Sequence, residues 1–527
     1  MDGNIPTINK DPLDYVRENA FSLVLSPVTI VECVSVIKNL NNTKTDLDTF
    51  PVVFLKTFAD ILAPIISEMV NKSFLTGNFP SCLKTACIIP IYKKSDKKVV
   101  KNYRPISMLP TLSKIFEKFI HKRMYDFVIF HSLVSPNQFG FQKGKSTVDA
   151  VSCVTEYLYD SLNNKKHAIM ILVDLSKAFD TVNNKILLKK LEMYGIRGIT
   201  LTLIESYLSD RVGFVRISDS SSERVVSNIG IPQGGTLSPL LFLMYLNDMP
   251  NFSTNSTSVL FADDTTLLLS DLSYNKLIET AKAELIRLKE WMDSNRLTIN
   301  KDKTCVMLIS NRLNVRVVRP ELDIDNIPLT VVDYAPFLGV IFDNGLNFSR
   351  HCEHISNKIS KSIGVLYRLK QFIPQDLLLN LYYSLVYPYF IYCNIVWGNT
   401  FSCHKRNLVT LQKRAVRLIN SVPLDSHTND LFYRSKLLKL EDVNRFFLGV
   451  YMFNNTNKYS QISSLHNYST RNRNDLVYAN QRLALTQHSI HFVAPRNWNL
   501  IPVDIKISES LYQFKRKYKY FLLSNYT

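Results

Sequence analysis

The sequence predicts an α+β protein, a sheet layered against helices, and three stretches carry that prediction. Residues 167–174 (HAIMILVD) form one continuous apolar run of strand length that ends on an acid, the mark of a strand buried on both faces. Residues 258–270 (SVLFADDTTLLLS) are two short apolar runs around Asp263 and Asp264, which reads as a β-hairpin with acids at its tip. Between 275 and 296, Leu277, Ala281, Leu285, Leu288 and Met292 fall on one helical stripe.

The remaining elements follow in chain order. Residues 12–75 read as helices broken by a loop at 41–51. Residues 82–93 (CLKTACIIPIYK) are strand-like and lead into Lys93, Lys94, Lys97 and Lys98. After a turn at 102–105, residues 112–125 space Leu112, Ile115, Phe116, Phe119 and Ile120 as a helix. The loop QFGFQKGKST (138–147) opens another helix, and Asp180 is a candidate N-cap for the helix through Ile186, Leu187, Leu191 and Met193. Residues 377–403 carry no charge and are long enough to span a bilayer. Asn380, Ser384, Pro388 and Asn394 interrupt them, so a buried helical hairpin is expected and no membrane partner.

A chain of 527 residues, 46% hydrophobic and 20% charged, is expected to fold into about two to four packed units. Its net charge of +18 points to a polyanion, and nucleic acid is the commonest. That charge is unevenly placed: residues 341–527 hold 24 Lys+Arg against 10 Asp+Glu, whereas the first 340 hold 39 against 35. A catalytic region followed by a basic grip is the simplest organisation. Basic residues interleave with aromatics there, as in Lys358, Lys361, Tyr367, Arg368 and FKRKYKYF at 514–521, a composition suited to phosphates and stacked bases. Any one of these clusters is equally explained as a solvated helix face. Eight cysteines without a CxxC pair argue for a reducing compartment and against a zinc ribbon, although Cys352, His354 and His351 lie together. The opening MDGNIPTINKDPLD lacks the regions of a signal peptide. Nucleus and cytoplasm both remain open as the compartment.

The acids carry the chemistry. An acid ending a buried strand and two more on a neighbouring hairpin would repel one another unless cations lay between them. Hard divalent ions with oxygen ligands remove that conflict, and two such ions about 4 Å apart serve in-line phosphoryl transfer. Read from the residues alone, this gives a nucleotidyl transferase.

Seven stretches then occur in a familiar order: NYRPISMLPTLSKIFEK (102–118), QFGFQKGKST (138–147), LVDLSKAFDTV (172–182), GIPQGGTLSPLLFLMYLNDM (230–249), FADD (261–264), LTINKDKT (297–304) and FLGVIFD (337–343). The chain resembles the reverse transcriptase region of non-LTR (LINE-type, jockey-like) retrotransposons over roughly residues 40–345. WGNT (397–400), LQKRAVRLI (411–419) and FKRKYKYFL (514–522) resemble their C-terminal parts. The resemblance implies a right-hand polymerase with an antiparallel palm sheet backed by helices, then a mainly helical C-terminal region. Its divisions would be an N-terminal helical extension (1–75), fingers and palm (76–335), primer-grip turn and helical thumb (336–450) and a basic C-terminal region (451–527).

It also implies roles. Asp174, Asp263 and Asp264 match the catalytic, metal-holding carboxylates, with the backbone carbonyl of Leu175 a further ligand. The ions would be two Mg²⁺, replaceable by Mn²⁺. Phe179 matches the ring beneath the incoming sugar, whose edge would exclude a 2′-hydroxyl. Gln233 and Gly234 match the loop beside nucleotide and template, Arg104 a contact to the triphosphate, and Lys303 the lysine that protonates or neutralises departing pyrophosphate. FLGV matches the primer grip. RNA template, DNA primer and dNTPs are the implied partners.

Departures and rivals qualify this picture. Family members have Ser after Gln-Gly and Gly before the Pro, whereas this loop runs Gly235, Thr236, Leu237, Ser238, Pro239. The glycine-bearing upstream loop appears as KTDLDTFP (44–51). No endonuclease, cysteine knuckle or RNase H pattern is visible, so a fragment or polymerase-only derivative is expected. Group II intron maturases and telomerase-like enzymes share the palm motifs, but the RPIS and SKAFD forms favour the LINE group. A catalytically decayed or domesticated remnant that only binds nucleic acid is the rival of another class. Against it stand three intact carboxylates, the Gln-Gly loop and Lys303.

Overall fold

The computed structural model describes residues 10–42, 47, 51–311, 319–464, 473–478 and 480–526. The leader reading for residues 1–9, and almost all of KTDLDTFP, lie outside the described residues.

A short 3-10 turn (Pro12–Tyr15) precedes α1 (Ile30–Lys38), α2 (Val52–Thr57) and α3 (Ala59–Thr76). The expected continuous helicity fails at residues 16–29, which run as an extended strap. Its backbone is engaged elsewhere: Asn19 N–H donates to Met193 O at 2.9 Å and Leu23 N–H to Gly195 O at 2.8 Å. Next come β1 (Thr85–Tyr92), β2 (Tyr103–Met108), α4 (Thr111–Phe130), α5 (Thr147–Asn163), β3 (His167–Val173), α6 (Asn184–Met193) and α7 (Gly198–Leu208). They are followed by β4 (Arg211–Ile217), β5 (Ser220–Ser221), β6 (Val225–Ser227), α8 (Ser238–Leu246), β7 (Thr257–Phe261), β8 (Asp264–Asp271) and α9 (Tyr274–Ser294). Strands β9 (Cys305–Ile309), β10 (Asp323–Ile324), β11 (Ile327–Pro328), β12 (Thr330–Val331), β13 (Tyr334–Phe337) and β14 (Val340–Asp343) complete the sheets.

The central sheet has the order β12-β9-β3-β8-β7. β3 pairs antiparallel with β8 and β9, and β7 with β8, but the edge strand β12 joins β9 in parallel, so the sheet is not wholly antiparallel. A second sheet orders β2-β1-β4-β5, with β1 and β4 parallel.

β3 is buried on both faces, and its alternation sorts the molecule into two cores. Ile169, Ile171 and Val173 point into a core with α4, α6, α8 and α9, whereas Ala168 and Met170 point into another with α5 and the C-terminal helices. β9 divides the same way, with Val306 and Leu308 on the first side and Met307 and Ile309 on the second.

The C-terminal helices include Ser349–Leu369, Ser402–Ile419, Leu440–Asn455 and Leu511–Ser524. The uncharged stretch at 377–403 is not the expected helical hairpin. It breaks into Gln375–Leu385, Tyr387–Ile391 and Asn394–Trp397, with Cys393 at φ +49° between the last two. Tyr382, Phe390 and Trp397 are buried in it, and no helix of the described residues is long and apolar enough to cross a membrane. Of the candidate zinc group, Cys352 is buried in the second core and His351 Nδ1 accepts the Ile341 N–H at 3.3 Å.

One ion pair lies wholly inside the first core. Lys190 Nζ meets Asp248 Oδ1 at 2.5 Å with both side chains at 0% exposure, and also donates to Tyr245 O at 2.9 Å. Trp291 Nε1–H donates to the other oxygen of Asp248 at 3.0 Å. Burial lowers the Lys190 pKa, and Asp248 opposes that. Removing one partner strands a buried charge. Asp248→Ala is expected to cost about 3–5 kcal/mol in urea unfolding, and adding Lys190→Met should recover most of the loss.

Candidate active site

Pairing puts two acids face to face. The β3–β8 register runs to Val173 opposite Thr265, so the next residues along, Asp174 and Asp264, are opposed at the strand ends. The β7–β8 hairpin closes with Phe261 paired to Asp264. Its two-residue turn is therefore Ala262-Asp263, with Ala262 at φ +57°, and Asp264 already belongs to the strand. Only Asp263 sits at the tip expected for both.

Burial, then the nearby Asp263 and Asp174, push the Asp264 carboxyl up to about 6. Asp174 is held from the other side by the segment LTINKDKT. Asn300 Nδ2 donates to Asp174 Oδ2 at 2.8 Å, Lys303 Nζ reaches the same oxygen at 3.2 Å, and Asn300 N–H donates to the Asp174 carbonyl at 2.8 Å. Leu175 bridges to Ile299 beside it. A cavity of about 190 Å³ is lined by Asp174, Asp264 and Lys303 on one side and by Pro336, Phe337 and Leu338 on the other. The β13–β14 turn thus faces the acids. Its Leu338-Gly339 backbone has φ +44° and +81°, and Tyr392 O–H donates to Leu338 O at 2.6 Å.

Among the described residues no three His, Cys, Asp or Glu side chains stand as a ready-made metal cluster. The donor chemistry nevertheless suits hard divalent ions: carboxylate oxygens of Asp174 and Asp264 share a cavity, and their crowding disfavours the charged form of Asp264.

The Gln-Gly loop packs between this site and the second sheet. Ser107 N–H on β2 donates to Gln233 O at 2.7 Å, and a side chain on Gly234, at φ +125°, would strike Ser107 O at 2.6 Å. Arg104 lies exposed on the same strand, three residues upstream. Gln233 Nε2 donates to Asp180 Oδ1 at 2.8 Å. Asp180 is therefore not the expected helix cap. Asn183 caps α6 through the Lys185 and Ile186 N–H groups, because residues 177–181 first close a separate turn. Phe179 stacks on buried Phe242, ring centres 4.0 Å apart at 15°.

Sequence reading did not single out Glu117. This wholly buried acid on α4 accepts the N–H groups of Thr236 and Leu237, holding the loop at the mouth of α8. Only its place inside an otherwise apolar helical stripe could have flagged it. A Cβ on Gly235 would stand 2.6 Å from Ser238 Oγ and 2.9 Å from Glu117 Oε2. Ser238 Oγ therefore stands in the space that a side chain at position 235 would need.

With these contacts in place, residues 91–342 match the family described as reverse transcriptase (RNA-dependent DNA polymerase). The chain is 27% identical over 420 residues to a probable RNA-directed DNA polymerase from transposon BS of Drosophila melanogaster, covering 76% of this chain and 46% of that protein. Identity is also 27% over 444 residues to the RNA-directed DNA polymerase from mobile element jockey of the same fly, covering 80% and 47%. To a probable RNA-directed DNA polymerase from its transposon X-element it is 27% over 455 residues, covering 85% and 48%. The chain spans about half the length of the curated relatives it matches.

Two outcomes follow from the geometry. A divalent ion held at Asp264 would have to displace the proton this carboxyl keeps below about pH 6, so Mn²⁺ affinity by water-proton relaxation should weaken as pH falls from 7 to 5 and level off above. In Asp264→Asn that slope should flatten. Gly235→Ser should lose roughly 1–3 kcal/mol through overpacking, and Ser238→Gly in the same chain should restore most of it, both read from thermal melts.

Proposed function

With residues 91–342 a reverse transcriptase domain, we propose that the chain is an RNA-directed DNA polymerase that extends a DNA primer on an RNA template to copy a non-LTR retrotransposon. One observation carries the reading: inside the matched segment the sheet register opposes Asp174 to Asp264, with Asp263 beside them. In this reading the central sheet is the palm and the second sheet belongs to the fingers. The β13–β14 turn is the primer grip, and the helices after residue 349 form the thumb and basic C-terminal region. The divisions are 1–75, 76–335, 336–450 and 451–527.

Asp174, Asp263 and Asp264, with the Leu175 carbonyl, would hold two Mg²⁺ ions, or Mn²⁺. When bound, such ions lower the pKa of an attacking hydroxyl and neutralise the charge of the leaving phosphate oxygens. The chain's own groups do the rest. Leu338 lines the same cavity as Asp174 and Asp264, and its turn would set a primer 3′-hydroxyl there. Arg104 would meet the triphosphate, since its planar fork matches phosphate geometry. Gln233, with its amide steadied by Asp180, and Gly234 would line the sugar and template side. Phe179, fixed by its stack on Phe242, would present an edge where a 2′-hydroxyl would lie. Lys303 rests on Asp174 and would turn to the departing pyrophosphate, giving a proton or neutralising charge.

Beyond the sheet, Lys358, Lys361 and Arg368 are exposed on the helix Ser349–Leu369, beside Tyr367. They suit a duplex leaving the site.

The test is primer extension with oligo(dT) on poly(rA). Mg²⁺-dependent dTTP incorporation that falls by at least about 10³-fold in Asp263→Asn supports the proposal. Binding without incorporation in a folded preparation sinks it and leaves a nucleic-acid-binding remnant. Replacing Lys358, Lys361 and Arg368 by Gln should reduce the salt slope of RNA–DNA binding by roughly 0.7–0.9 for each phosphate no longer neutralised.

A further inference from the structure

The loop 137–142 carries a feature that the proposed chemistry does not use. Leu260 on β7 exchanges backbone bonds with it: Phe139 N–H donates to Leu260 O at 2.7 Å, and Leu260 N–H to Asn137 O at 2.9 Å. The buried Gln138 Oε1 accepts the Gly140 N–H at 2.8 Å and the Ala262 N–H at 3.2 Å, so it grips the turn that carries Asp263. Gly140 is obligatory, because a Cβ there would lie 2.3 Å from the Ala262 nitrogen. The loop is therefore fixed to the catalytic hairpin.

What it holds out is a ring. Phe141 has φ +56°, a left-handed conformation that bulky side chains rarely adopt, and it stays 49% exposed. Neither burial nor backbone preference accounts for it. Its ring stands perpendicular to Phe179, centres 6.4 Å apart at 87°, while Phe242 stacks on Phe179 at 4.0 Å. Phe242 limits Phe179 from the core, and Phe141 limits it from the solvent side.

We propose that Phe141 is a positioning residue for sugar selection: its ring holds Phe179 in the rotamer that excludes a ribonucleotide, and it ties that rotamer to the catalytic hairpin. This rests on Phe179 being the sugar gate. Freed of Phe141, Phe179 would gain room to swing and admit a 2′-hydroxyl, while the acids and their chemistry stay in place.

The experiment measures kcat and KM for dTTP and UTP on the full chain with a poly(rA)·oligo(dT) duplex. In Phe141→Ala the dTTP/UTP ratio of kcat/KM should fall roughly three- to ten-fold, the scale of one aromatic edge interaction, chiefly through a lower KM for UTP. The kcat for dTTP should stay within about two-fold, and Phe141→Tyr, which keeps the ring, should retain the ratio. Phe179→Ala serves as the reference. If it collapses the ratio while Phe141→Ala leaves it unchanged, the role given to Phe141 is wrong. If Phe179→Ala itself leaves the ratio unchanged, the sugar gate is not Phe179 and the proposal falls with it. An equal loss of kcat for both nucleotides in Phe141→Ala would make the ring a support of the hairpin only and overturn its role in selection.

Discussion

The antiparallel register between β3 and β8 decides which acids face each other at the strand ends. Asp174 and Asp264 face each other only because Val173 lies opposite Thr265, and a slip of one residue would separate them. In most half-buried strands the apolar pattern enforces register, since a slip exposes the wrong face. β3 is apolar on both faces, so that safeguard is missing. Polar contacts at the strand ends take its place. His167 Nδ1 pairs with Ser310 Oγ at 2.8 Å at one end, and Tyr157 reaches Ser270 at 3.2 Å nearby. At the other end Asn300 and Lys303 hold the Asp174 carboxylate, and the Ala262-Asp263 turn fixes where β8 begins.

The same logic runs outward from the sheet. Three short segments are each held in place by a buried or half-buried polar side chain. Glu117 holds the mouth of α8, Gln138 the Ala262-Asp263 turn and Asp180 the amide of Gln233. Such groups are costly to bury and costly to leave unpaired, so each permits few arrangements of its loop. Apolar packing supplies the bulk of the two cores. The polar clamps set the geometry between them.

Much of this was legible in the sequence because it rests on periodicity. The run HAIMILVD announced a doubly buried strand, FADD a hairpin, and the stripe from Leu277 to Met292 a helix, and each stands within a residue or two of its expected place. The family resemblance, read over roughly residues 40–345 because seven motifs kept their order, meets a family match over residues 91–342. Other features depend on partners distant in sequence. The strap at 16–29 lost its helix to backbone partners near residue 195, and Asp180 lost its capping role to Gln233, 53 residues away. The parallel edge strand β12 carried no local signal strong enough to find it, whereas the breaks at Val386 and Cys393 fall beside Pro388 and Asn394, which the sequence marks as interruptions. Glu117 and Phe141 stood inside recognisable motifs without being singled out, since only the fold shows what they touch.

The opposed carboxylates are proposed as a two-ion polymerase site, and everything said of nucleotide, primer and sugar depends on that. The most direct measurement is anomalous diffraction from a crystal of the chain with an RNA–DNA duplex, a non-hydrolysable dTTP analogue and Mn²⁺. Two manganese peaks are predicted between Asp174 and Asp264, separated by about 4 Å, with the nucleotide phosphates against them. Duplex bound with no manganese at these aspartates, or with manganese held elsewhere on the chain, would contradict it.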